Sequence, residues 1–322
     1  MSRKILFRSD GSHEIGFGHI VRSLSLAQML KDIFHITFYS KSLPPELKKN
    51  ITDLNFGSVE ISSESEFLNA VQPDDFVVLD GYNFSYDFQK KIKINADKLI
   101  CIDDLYNQVF YADLIINHAP GVTPEMYSAQ AYTSFALGPE FALLRPSFLS
   151  TNYTRETDPS NLTLFICFGG TDFKNITPKA LQIAIDSSQF EKIVVVLGAG
   201  FRDTVELNSI TKKADNVVTY HALEEKQMAQ LMFNANVALV PASGILFEAL
   251  ATGNKVISGM YVDNQKSIYT GFKNLNAIID VVDFSEKEIE KGFRKIRSFE
   301  NPKVIDGKSP ERFQKLFCDL SK

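Results

Sequence analysis

The stretch DGSHEIGFGHIVRSLSLA, Asp10 to Ala27, decides how this chain is read. It follows an apolar run, KILFRS at 4–9, and opens a helical pattern that reaches Lys31. Ile20, Leu24, Ala27 and Leu30 recur at the three- and four-residue spacing of a buried helix face. Strand, glycine-bearing loop and helix in that order begin a Rossmann-like unit, and such sheets bind ligands beyond the carboxyl ends of their strands. Gly16 and Gly18, flanking Phe17, let backbone come close to a ligand. The free N–H groups of a helix start attract anions. The dinucleotide fingerprint G-x-G-x-x-G is not met, because Val21 stands where its third glycine belongs.

His19 and Arg22 fall off the apolar stripe, so both are placed to face a ligand. The positive end of the helix dipole disfavours an imidazolium at position 19. A neutral imidazole beside a bound anion is a general base. Arg22 either binds substrate or pairs with an acid such as Asp10 or Asp80. His13 and His118 are weaker candidates for the same place.

Working outward, short apolar strands alternate with helices. FVVLD at 76–80, KLICID at 98–103 and DLIIN at 113–117 read as buried strands of a parallel sheet. The polar run PSFLSTNYTRETDPSN at 146–161 reads as a linker, centred on 149–159. The alternation then restarts with LTLFICF at 162–168 and KIVVVL at 192–197, and helices at 285–298 and 310–320 close it. The class is α/β, with two Rossmann-like domains, 1–148 and 160–322, expected to face each other across a cleft.

Composition narrows the function. The chain has 322 residues, 44% apolar and 23% charged, with a net charge of −5 and no basic segment. Nucleic acid is therefore an unsuitable partner. Three scattered cysteines suit reduced thiols in a cytoplasmic protein rather than a disulfide frame or a zinc site. No run of 18 apolar residues is present to span a membrane. No cluster of metal ligands stands out and no cofactor is called for.

Three loops of the second half carry unusual residues. Gly169, Gly170, Thr171 and Asp172 follow a buried strand and suit a phosphate group. Ser243 is an N-cap candidate and Gly244 opens its helix to an anion. Glu248 is the one charge on that apolar helix, and a ribose diol offers two donors to its two oxygens. Asn264 and Gln265 begin another helix and can bond a diphosphate or a sugar hydroxyl. Leu223, just past His221, is grouped with these on the nucleotide side.

The order G-F-G-H-x-x-R, then F-G-G-T-D, then S-G-x-L-x-x-E, then N-Q, resembles the UDP-sugar hydrolases of pseudaminic acid biosynthesis. The second-half loops also look like those of the GT-B glycosyltransferase that makes lipid II. The resemblance covers nearly the whole chain. It implies a GT-B fold, UDP held mainly by the second domain, and metal-independent hydrolysis of a UDP-linked 2,4-diacetamido-2,4,6-trideoxy sugar. It further implies that water attacks the anomeric carbon with inversion, releasing UDP and free sugar. The resemblance also carries the catalytic base onto His19, the glycine-rich loop onto Gly169 to Asp172, the ribose glutamate onto Glu248, and a D-x-Y pair onto Asp80 and Tyr82. The rival expectation is a GT-B glycosyltransferase using a UDP-sugar donor. A monomer is expected, with the UDP-sugar as its partner and no membrane.

Overall fold

A computed structural model describes residues 3–12, 16–149, 161–202 and 205–322. The chain forms two compact units, one from residues 1–145 with Gly307–Lys322, the other Pro146–Asp306. His13 and nearly all of the expected linker lie outside the described residues.

The first unit is built on β1 (Arg3–Ser9), β2 (Phe34–Ser40), β3 (Gly57–Glu60), β4 (Phe76–Asp80), β5 (Lys98–Ile102), β6 (Leu114–Asn117) and β7 (Ser134–Leu137). Their order is β3-β2-β1-β4-β5-β6-β7 and every pairing is parallel. Every residue of β4 is buried, as a central parallel strand covered on both faces requires. The strand order reverses between β1 and β4, so the loops after these two strands flank the switch point where a ligand crevice forms. Ser9 pairs in register with Asp80, which sets both at that edge.

The second unit repeats the plan with β8 (Thr163–Ile166), β9 (Lys192–Leu197), β10 (Val217–His221), β11 (Val237–Pro241), β12 (Lys255–Gly259) and β13 (Ile279–Asp280). The order is β10-β9-β8-β11-β12-β13, with its switch point between β8 and β11. Leu164, Ile166, Ile193, Val195, Leu239 and Ile257 pack with Ala180, Leu181, Ile289 and Phe293 of the covering helices into one core.

The helix Gly18–Leu30 buries Ile20, Leu24, Ala27 and Leu30, and also Leu26 and Met29. The buried face is wider than one stripe because the helix Ser309–Leu320 covers a second side. Gln314 Nε2 donates to the Met29 carbonyl at 3.0 Å. Phe317 packs on Phe34 and Phe76, with ring centroids 6.0 and 6.4 Å apart. Phe313 packs on Phe141 at 5.5 Å. This last helix therefore belongs to the first unit, not to the second domain in which its position in the sequence had placed it. The apolar surface that Phe313 and Phe317 need is there.

Two elements of the first unit escape the sequence pattern. The helix Glu64–Ala70 is short, capped by Ser63 Oγ accepting the Glu66 N–H. The strand β7 lies at the sheet edge and is only partly buried, so it lacks the solid apolar run of its neighbours.

Candidate functional site

The loop after β1 is pinned at both ends. Asp10 accepts the Lys41 and Ser42 N–H groups and an ion pair from Arg8 Nη2 at 2.8 Å. Burial alone would raise the Asp10 pKa, but the bond and charge of Arg8 hold it below the usual value. Arg8 is itself buried and forks onto Glu64. Asp10 thus pairs with Arg8, not Arg22, and shapes the loop. Ser12 and Gly16 exchange backbone hydrogen bonds, and Gly16 turns at φ +80°, a conformation that disfavours any side chain. Phe17 occupies the N-cap without a side-chain cap bond. Among the described residues, nothing lies within 4 Å of a Cβ built on Gly16 or Gly18.

His19 points its Nδ1 at Asp80 Oδ1, 2.7 Å away. The Asp80 side chain is fully buried at the end of β4, and the His19 side chain is 11% exposed. Two lone pairs at that distance would repel, so Nδ1 carries the proton and donates it to the carboxylate. Nε2 is then the nitrogen with a lone pair. Arg22 Nη2 also lies 3.0 Å from Nδ1, a contact made through the carboxylate that both groups share.

Arg22 lies one turn further along the helix. Its Nε and Nη2 donate to Asp80 and its Nη1 to Asp104 Oδ2 at 2.9 Å. Ser23 Oγ donates to Asp80 Oδ2. Burial alone would raise the Asp80 pKa. The charge of Arg22, the charge His19 carries once protonated, and the hydrogen bonds from both outweigh it and bring the value down to about 2. Burial would lower the Arg22 pKa, and the two carboxylates raise it well above its ordinary value. Tyr82 donates its hydroxyl to Asp104 Oδ2 at 3.1 Å and sets its ring edge-on to His19, 4.6 Å between centroids. His118 is buried beside this group, where burial and the Arg22 charge push its pKa down to about 3. It accepts the Leu143 N–H at Nδ1, a structural role.

The structure therefore gathers His19, Arg22, Asp80 and Tyr82 into one cluster at the first switch point. The sequence pattern does not mark Asp104 or Ser23 as members of this cluster. The signal for Asp104 was the acidic pair Asp103-Asp104 at the end of an apolar strand. Asp103 instead accepts the Leu105 and Tyr106 N–H groups and the Tyr127 hydroxyl.

In the second unit the predicted loops sit at the carboxyl edge of one sheet. Gly169 and Gly170 follow β8. A Cβ on Gly198, at the end of β9, would collide with the backbone of both. Gly200 N–H donates to the Gly170 carbonyl at 2.9 Å. This second glycine loop, Gly198 to Gly200, was not singled out from sequence, although it follows the buried strand KIVVVL just as the first follows β8. Thr171 is partly exposed beside it. Asp172 is buried and accepts the Ile176 and Thr177 N–H groups at 2.9 and 2.8 Å. Its carboxylate caps the helix Ile176–Asp186 rather than presenting itself to a ligand. A phosphate gains nothing from a negative neighbour, so this is the better use of that side chain.

Ser243 is the N-cap of the helix Gly244–Ala251, but its side chain makes no cap hydrogen bond, contrary to expectation. Gly244 is exposed and Glu248 is buried one turn further on. Gln265 is buried and its Oε1 accepts the Tyr261 N–H, while the Tyr261 hydroxyl reaches the Phe168 carbonyl at 3.4 Å. That contact ties the loop of Asn264, which is exposed, to the Gly169 loop. Leu223 lines a hollow of about 220 Å³ with Tyr220, Gln227, Gln230 and Leu231. Ala222 N–H donates to Leu197, which places Leu223 beside the Gly198 turn.

Solved structures share this architecture. MurG of Acinetobacter baumannii matches with a TM-score of 0.65 at 12% identity, over 98% of this chain and 99% of that one. Arabidopsis thaliana UGT89C1 complexed with UDP-L-rhamnose matches at 0.64 and 12%, over the whole of both chains. The fold is GT-B, with two Rossmann-like units in one chain. No family model matches. The UDP-2,4-diacetamido-2,4,6-trideoxy-β-L-altropyranose hydrolase of Campylobacter jejuni is 30% identical over 274 residues, 83% of this chain and 95% of that protein. The chain belongs to that hydrolase family. The spore coat polysaccharide biosynthesis protein SpsG of Bacillus subtilis is 26% identical over 85% of this chain and 82% of its own length. An uncharacterized Methanocaldococcus jannaschii protein, MJ1062, is 29% identical over 84% of this chain, which spans only 58% of that longer protein. Among the described residues no helix is long and apolar enough to cross a membrane.

Proposed function

We propose that this chain hydrolyses a UDP-linked 2,4-diacetamido-2,4,6-trideoxy sugar at its anomeric carbon, releasing UDP and the free sugar for nonulosonic acid biosynthesis. The observation that carries the reading is the 2.7 Å bond from His19 Nδ1 to the buried Asp80 carboxylate, at the switch point of the first sheet. A carboxylate that fixes the tautomer of a histidine leaves Nε2 ready to take a proton and stabilises the imidazolium that forms. Water gives that proton to Nε2 as its oxygen bonds to the anomeric carbon. The bond from that carbon to the diphosphate oxygen breaks, and UDP leaves with the electron pair. Attack opposite the leaving group inverts the centre, and no metal is required.

The second unit binds UDP. The exposed N-terminus of the helix Gly244–Ala251 and the turn at Gly169 to Thr171 offer backbone N–H groups to the diphosphate. Glu248 takes the ribose hydroxyls, Leu223 lies beside the base, and Asn264 and Gln265 complete the loop. The first unit supplies the base, with Arg22 and Tyr82 shaping its surroundings. The enzyme works as a cytoplasmic monomer.

Two measurements test this reading. His19→Asn lowers turnover by about 10²–10⁴-fold and leaves UDP affinity near wild type. Hydrolysis in ¹⁸O-water puts the label in the sugar and none in UDP. An undiminished rate in the variant, or label in UDP, refutes the mechanism. UDP release that requires an added acceptor alcohol would make the protein a glycosyltransferase instead.

A further inference from the structure

Asp104 follows β5 and neither caps a helix nor ties down a turn. Its side chain is 9% exposed, and its Oδ2 accepts Arg22 Nη1 at 2.9 Å and the Tyr82 hydroxyl at 3.1 Å. Its Oδ1 is buried without a hydrogen-bond partner among the described residues. A buried carboxylate in that condition is unfavourable unless its charge is used.

The charges explain the use. Arg22 already meets Asp80 through Nε and Nη2. Alone, that pair is neutral, and Asp80 would have little charge left to attract an imidazolium at His19. With Asp104 on the other arm of the guanidinium, two carboxylates share one cation. The buried group then holds one more negative charge than positive while His19 is neutral, and becomes neutral when His19 takes a proton. Tyr82 adds a geometric link, since the hydroxyl held by Asp104 belongs to the ring that stands edge-on to His19.

We propose that Asp104 is a positioning residue that supplies, through Arg22 and Tyr82, the counter-charge for the imidazolium formed at His19. This rests on His19 being the base. Among the described residues, the charged and titratable groups that meet the ring are Arg22 from its own helix and Asp80 and Tyr82 from β4 and the loop after it; Asp104 and Asp103 from beyond β5 and His118 from beyond β6 act on Arg22 behind it.

The test compares wild type with Asp104→Asn in the full chain. It uses the pH profile of kcat/KM and the imidazole ¹H–¹³C NMR titration of His19, whose signal is assigned by its loss in His19→Asn. Removing the charge moves both the acid limb and the NMR midpoint down by about 1 pH unit, the size of a nearby carboxylate's effect. Asp104→Glu restores them. If Asp104→Asn does not fold, Asp104→Ser, also uncharged, is expected to give the same displacement. A fall in rate with limb and midpoint unmoved overturns the proposal and leaves Asp104 a packing residue. A midpoint that falls while hydrolysis stays the same at every pH supports the action of Asp104 on the ring and refutes His19 as the base.

Discussion

Asp80→Asn keeps the shape of the side chain and removes its charge, and its effect on stability and on rate can be worked from the structure. In the folded protein the carboxyl is held at about 2 instead of 3.8. Just under two units, at about 1.4 kcal/mol each, makes roughly 2.5 kcal/mol of stabilisation. Removing one partner of a buried ion pair typically costs about 3–5 kcal/mol. The variant should therefore be about 3 kcal/mol less stable at pH 7. The folded pKa is below the unfolded one, so the contribution is whole above about pH 4 and is lost as pH falls through about 2. The gap between wild type and variant closes over that interval. Catalysis suffers separately, because the amide no longer selects the Nδ1–H tautomer of His19. Turnover falls by about 10²–10⁴-fold, the usual value of a general base. Urea unfolding at several pH values gives the first quantity and UDP release from the UDP-sugar gives the second. A variant as stable as wild type at pH 7, a gap unchanged at pH 2, or turnover within roughly threefold of wild type would refute the reasoning.

Other substitutions probe the second unit. Gly198→Val forces a side chain into the Gly169 and Gly170 backbone; calorimetric titration should show UDP binding weakened by about tenfold or more, with a loss of stability of about 1–3 kcal/mol. Glu248→Gln keeps the size of the buried side chain, and loss of charged hydrogen bonds to the ribose should weaken UDP by about 10-fold or more while 2′,3′-dideoxy-UDP is held equally by both proteins. Asp172→Ala removes the acceptor for the Ile176 and Thr177 N–H groups and should lower stability by about 0.5–2 kcal/mol in denaturant titrations, with turnover reduced only as far as the loop is disturbed. Incubation with a chelator should leave the hydrolysis rate unchanged, as the proposed metal-independent mechanism requires.

Much of the candidate cluster was legible because Asp80 ends a strand and His19 opens a helix. FVVLD at 76–80 is a buried strand ending in an acid, and a fully buried Asp80 has few uses other than pairing with a cation or a proton donor. The G-F-G-H loop fixed where His19 stands, since glycine turn and helix start together leave little freedom. What stayed hidden were contacts between distant segments. Nothing in the sequence says that Arg22 reaches both Asp80 and Asp104, or that Asp10 goes to Arg8. The ring held by Asp80 was expected to owe its state to the helix end alone, because the dipole is a local property and the carboxylate 61 residues away is not. Asp172 looked like a ligand residue because it follows Gly-Gly-Thr. The left-handed turn at Asn175 bends the chain so that this acid caps the next helix, and such a turn at a non-glycine position is hard to foresee. The helix Ser309–Leu320 was assigned by its place in the sequence, whereas Phe313 and Phe317 follow apolar surface wherever it is found.

That last helix has a consequence for biosynthesis. A ribosome makes residues 1–145 before Pro146–Asp306, yet the faces that Phe34, Phe76 and Phe141 turn to Phe317 and Phe313 stay uncovered until Ser309–Leu320 emerges. All of Pro146–Asp306 is made in between and has its own core to fold around. The half that carries the histidine is thus begun before the other and finished after it, and for the length of that interval its uncovered apolar surface is what a chaperone would meet.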